Sequence, residues 1–104
     1  MAKKNYYKIL ESKEKFEDFT DFYDKNRPYI LKTIIEVFDE FLKTKKQKLS
    51  ILVVGNIQGL EWDTEFHFTR KDTIVLKRDV LSYFEEIEDY DTCCIVRDLY
   101  KKLT

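Results

Sequence analysis

Glu61, Asp63, Glu65 and His67 stand at every second position of GLEWDTEFHFTRKD, residues 59–72, with Leu60, Trp62, Thr64, Phe66 and Phe68 between them. In a strand, this spacing lines three carboxylates and the chain's only histidine along one face. Side chains at i and i+2 start ~6.5 Å apart, so two such carboxylates can converge on one ion. Mg²⁺ and Mn²⁺ take oxygen ligands of this kind. Such chemistry would make the strand a metal-dependent phosphoesterase, with Lys71, Lys77 and Arg78 near in sequence to hold a phosphate. It also needs a ligand from a second element, and the sequence has no Gly-rich phosphate loop, HExxH pair or nucleophile elbow. A sheet covered on one face must show polar residues on the other, so alternation alone produces the same row. The simpler expectation is a solvated face with no catalytic residue, cofactor or metal ligand. Lysines across a hairpin would relieve the repulsion along it.

Two other charged stretches bear on partners. KTKKQK, residues 43–48, resembles a nucleic-acid patch and, with the 70–78 region, defines a nucleic-acid-binding alternative. It also ends a strong helical pattern, where cations complement the exposed carbonyls, and it lacks an aromatic to stack on bases. FEEIEDYD, residues 84–91, places Glu85, Glu86, Glu88, Asp89 and Asp91 toward what the sequence presents as a helix C-terminus, where negative charge is unfavourable. Residues 79–104 hold three basic and seven acidic groups, a net of −4, against sixteen and thirteen, a net of +3, in residues 1–78. A protein partner with a basic surface would account for that placement. Phe22 joins these acids as a candidate partner-binding residue. In FEDFTDFYD, Phe16, Phe19 and Tyr23 can share one helical stripe, which leaves Phe22 about 100° from Tyr23.

The elements that must carry these residues are read from periodicity. Residues 5–25 read as helix, in one or two pieces, with Tyr6, Leu10, Phe16, Phe19 and Tyr23 at helical steps and Ser12 able to cap a fresh start. Asn26 then caps a second helix, with Pro28 in its first turn and a stripe of Leu31, Ile34, Ile35, Phe38, Phe41 and Leu42. Residues 49–54 are apolar and β-branched, Gly55 and Gly59 bracket a short loop, the alternating stretch follows, and Thr73 to Lys77 forms a third strand. Connections this short favour an antiparallel meander. A helix starts near Asp79, and Asp91 and Thr92 break or re-cap the chain; in CCIVRDLYKKL, Cys94, Ile95, Leu99 and Leu103 suit a helix while the Cys-Cys-Ile-Val run suits a strand, and helix is the favoured expectation. The expected architecture is a single α+β domain over residues 1–104, with two N-terminal helices, a three-stranded antiparallel meander, and one or two C-terminal helices. Helix two covers the sheet face that carries Leu60, Trp62, Phe66 and Phe68.

The totals agree with one small domain. The chain has 104 residues, 43% hydrophobic, 15% aromatic and 38% charged, at a formal net charge of −1. Near-balance argues against a strongly basic nucleic-acid binder and against an acidic DNA mimic. MAKKNYYKIL holds no signal-peptide core and no run of ~18 apolar residues occurs, so a cytoplasmic protein with no membrane partner is expected. Cys93 and Cys94 are adjacent, close a negligible loop and read as small core or half-core residues. Alanine occurs once, glycine twice and proline once, while Lys, Ile, Tyr, Phe, Asp and Glu are heavily used. Helix chemistry gives no reason to avoid alanine. The bias matches AT-rich coding, as in low-GC bacteria, their phages and mobile elements. Together these features point to a small non-enzymatic interaction protein, an inhibitor or regulator, that uses acidic and aromatic surface.

Overall fold

The structure, a computed structural model, describes residues 5–104; part of the N-terminal stretch read above lies outside them. The elements run β1 (Lys8–Phe16), α1 (Phe19–Lys43), β2 (Lys48–Ile57) and β3 (Leu60–Thr69). A π-helical turn (Leu76–Leu81) then passes directly into α2 (Ser82–Glu86), and α3 (Tyr90–Leu103) follows. The class is α+β, but the sheet is mixed, in the order β1-β2-β3. β1 runs parallel to β2 through the α1 crossover, and β2 pairs antiparallel with β3.

Four expectations are corrected. The first N-terminal helix is absent over residues 8–16, which form β1. Leu49–Val54 is a largely apolar, β-branched run in the middle of the sheet, and its backbone N–H and C=O groups need partners on both edges. The first segment supplies the second neighbour, and tertiary pairing overrides its Lys- and Glu-rich helix propensity. The second correction is that one helix of 25 residues replaces two. Asp18, not Asn26, is its N-cap and accepts from Asp21 N at 2.9 Å. Asn26 lies mid-helix and donates to the Phe22 carbonyl at 2.9 Å. Pro28 removes an intrahelical bond, yet the turns before it are held by Phe22 against Phe16 and Trp62, at 5.2 and 5.5 Å between ring centroids.

Third, Thr73 to Lys77 is not a strand. Val75 N and Leu76 N donate to the Asp72 and Thr73 carbonyls, and the chain coils so that Leu76 and Val80 are fully buried. Burial at i and i+4 decides against the β-branched run Thr73-Ile74-Val75. Fourth, Gly55 is not a loop residue. The turn is only Gln58 and Gly59, both at positive φ (54° and 85°), the geometry that matches strand twist in a two-residue hairpin. Asn56 Oδ1 accepts from Gly59 N at 2.8 Å.

α1 is the central layer. One side lies on the sheet, where Phe38 meets Phe68 edge-on at 5.9 Å. Its other side takes the C-terminal helices. Phe22, Ile30, Leu31, Ile34, Val37, Phe38 and Phe41 are all buried, each contributing about 1.5–3 kcal/mol of transfer free energy. Of the expected stripe, Ile35 is half-buried and Leu42 is exposed. Residues 92–103 are helical as expected, but with a different inner face: Cys93, Val96 and Leu99 are buried, whereas Cys94 and Ile95 are exposed. Arg27 bridges α1 to the C-terminal unit, its guanidinium 4.9 Å from the Tyr83 ring and 5.9 Å from Tyr23. Arg70 donates to the Thr44 and Lys46 carbonyls at 2.6 and 3.0 Å, which ties the start of the 43–48 basic segment to the sheet. No helix among the described residues is long and apolar enough to cross a membrane.

Candidate interaction surface

The 84–91 acids occupy different positions from those expected. α2 stops at Glu86, and α3 opens at Tyr90 with Asp89 as N-cap. Glu88 takes positive φ (61°) to make the corner, and Asp89 N reaches back to the Phe84 carbonyl at 2.9 Å. Asp89 accepts from Thr92 N and Oγ1 at 3.2 and 2.8 Å, and Asp91 sits in the first turn of α3. There the helix end favours negative charge, so the argument from an unfavourable C-terminus fails for both. Glu85 meets Arg97 of α3 at 3.4 Å. Glu86 is exposed. Phe22 is corrected as well: at 1% exposure it is core, not an anchor on the surface. Among the α1 aromatics the exposed ones are Phe19 and Tyr29, at 46% and 67%.

The side-chain and backbone bonds from Thr92 hold the Asp89 carboxyl below its ordinary pKa. A depressed value means that the carboxylate's contribution is complete above the ordinary aspartate range and is lost as pH falls through the lower folded value. Asp89→Ala is therefore expected to lower the denaturation midpoint at neutral pH. Asp89→Asn, which keeps the capping oxygen, should change it much less. The gap between wild type and Asp89→Ala should narrow in acid. A midpoint unchanged by Asp89→Ala at neutral pH would remove the capping role.

The alternating row lies on β3 as expected, on the sheet face turned away from α1. Its neighbours on β2 are Asn56, Val54, Leu52 and Ser50 opposite Glu61, Asp63, Glu65 and His67. None is a lysine, so the expected relief of repulsion comes from other groups. The Tyr6 hydroxyl donates to Glu65, and that bond, with burial and nearby negative charge, raises the phenol pKa to about 12. His67 Nε2 stands 3.1 Å from Glu65, and Ser50 Oγ is 2.8 Å from His67 Nδ1. Among the described residues, no three His, Cys, Asp or Glu groups gather closely enough to hold one metal ion.

Ser50, His67 and Glu65 thus form a hydrogen-bonded succession that sequence reading missed, because only strand register brings residue 50 beside 67. Nucleophile, base and orienting carboxylate are the components of acyl-transfer triads. The surroundings differ from such a site. The His67 side chain is 61% exposed. Hollows of about 270 Å³ between β1 and α1 and about 350 Å³ between α1 and α3, the latter floored by Ile35, Leu42, Ile95 and Leu99, do not include Ser50 or His67. Ser50 and His67 stand on the sheet face turned away from α1, and their hydrogen bond links β2 to β3.

That open face is the distinctive feature. Leu49, Ile51 and Val53 point into the core, whereas Leu52 and Val54 point outward and are half-buried. On β1, Ile9 pairs with Leu52 and is 57% exposed, and Glu11 pairs with Val54. An apolar stripe of Ile9, Leu52 and Val54 therefore runs beside the β3 carboxylates, and no described helix covers it. Compared with known protein families, curated proteins and solved structures, the chain matches none of them.

Proposed function

We propose that this chain is a small non-enzymatic interaction protein, of the kind that phages and mobile elements encode, which binds a protein partner with a basic surface and acts as an inhibitor or regulator. One observation supports this most: the central strand is apolar on both faces, and only one face is covered by a described helix. An uncovered apolar stripe rimmed by charge is the anatomy of a binding surface. The β3 side of the rim is acidic, with Glu61, Asp63 and Glu65 beside Leu52 and Val54, and Glu11 stands beside Val54 on β1. Basic partners are drawn to it at a distance, and like-charged surfaces are rejected.

Ile9→Glu tests this reading, because the residue is exposed and its loss leaves the core untouched. Immobilised wild type is expected to retain a basic protein from a low-GC bacterial lysate, and Ile9→Glu, melting like wild type, is expected to lose it. The captured protein should associate more slowly as salt rises. Identical proteins held by wild type and Ile9→Glu would sink the reading.

A further inference from the structure

The open face ends at the two edges of the sheet, β1 and β3. They differ. β1 carries two extra residues between Glu11 and Lys15, opposite Val54 and Asn56 of β2, and the bulged stretch holds Lys13. A bulge with lysines is how an edge is protected from added strands. β3 has no such protection. Its ten residues pair with β2 without a break, contain no proline, and no described strand lies on their outer side. On the α1 side of that edge, Leu60 is 73% exposed, and Trp62 and Phe66 are only half-buried.

We infer that β3 takes an extended segment of the protein partner as a fourth strand, and that this segment alternates basic and apolar residues. The inference rests on the interaction reading above and names how the partner is held. Side chains directly opposite in neighbouring strands have Cβ atoms about 4.5–5.5 Å apart. Lysines or arginines at every second position of the segment fall beside Glu61, Asp63 and Glu65. The residues between them fall beside Leu60, Trp62, Thr64 and Phe66 and complete their burial. Glu61 and Asp63 make no ion pair among the described residues, which leaves them available. A second copy of the chain fits poorly. A two-fold β3–β3 pairing keeps both acidic faces on one side and, centred on the row, sets Asp63 opposite Glu65 or opposite its own counterpart. Like charges directly opposite are destabilising. Backbone pairing with side chains read at alternate positions is a general mode of peptide capture.

The test uses the full chain and three synthetic peptides followed by fluorescence anisotropy: one alternating Lys and Val, the same peptide with its backbone nitrogens methylated so that neither edge can pair, and one alternating Glu and Val. The Lys/Val peptide is expected to bind, and the methylated peptide, with the same charge, to bind roughly tenfold or more weakly. Glu61→Lys/Asp63→Lys, checked for unchanged melting, should lose the Lys/Val peptide and gain the Glu/Val one. Absence of Lys/Val binding overturns the inference. So does equal binding of the methylated peptide, which would mean charge attraction without strand pairing. A wild-type chain that dimerises with concentration, with a dimer that excess Lys/Val peptide does not dissociate, gives the edge to a second copy and also overturns it. Capture of a partner in an Ile9-dependent manner, alongside any of these failures, preserves the interaction reading and places the partner on the face alone.

Discussion

Phe22→Ala is expected to be the most damaging single truncation argued here, at about 3–5 kcal/mol in urea denaturation, a large share of the ~5–15 kcal/mol that holds a domain of this size. Phe22 is 1% exposed. Its ring meets Phe16 edge-on at 5.2 Å and Trp62 at 5.5 Å, so it joins β1, α1 and β3 at one point. The cavity left behind would lie between three elements that cannot close on it independently. Phe19 provides the comparison: it stands one helical turn away, contacts the same Trp62 at 4.8 Å, but is 46% exposed. Phe19→Ala should cost a fraction of the Phe22→Ala loss. Unchanged stability for Phe22→Ala combined with lost partner capture would reverse the assignment and return Phe22 to the binding surface.

Gly55→Ala is expected to cost about 1–3 kcal/mol, the range for forcing a methyl into a filled core. The reason is a close approach, not an unusual backbone angle. A Cβ at residue 55 would lie 2.2 Å from Phe22 Cε2 and 2.8 Å from Cδ2 and Cζ. The ring cannot swing aside, because Phe16 and Trp62 hold its edges. The glycine therefore serves as the seat for an aromatic ring on the middle strand. Coupling exposes the contact: Gly55→Ala should be much less harmful in a Phe22→Leu background, so the two losses should not add. Additive losses would show that the methyl and the ring do not meet.

The helix stripe from Leu31 to Phe41 and the β3 alternation are legible from the sequence, because each rests on a period that the local backbone imposes, whereas CCIVRDLYKKL suits strand as well as helix until its burial at Cys93, Val96 and Leu99 is seen. The apolar cluster on α1 and the placement of Trp62 and Phe68 on the covered face follow from 3.6- and 2-residue spacing alone. The same 2-residue period places Glu61, Asp63, Glu65 and His67 on one face. The paired half of the candidate surface was not legible. Ser50, Leu52, Val54 and Ile9 join that face through register between strands, and no local period encodes register.

The remaining misreadings share one cause. Lys8–Phe16 has the composition of a helix but becomes a strand because the backbone of the apolar run at 49–54 needs a second neighbour. Thr73–Lys77 has the composition of a strand but coils because Leu76 and Val80 reach the core only at helical spacing. Asp89 looks like an ill-placed acid until the chain is seen to turn at Glu88 and start a new helix on it. Local propensity is worth a few tenths of a kcal/mol per residue, and burying one large side chain several times that. Where the two disagreed, strand pairing and burial in the folded chain decided.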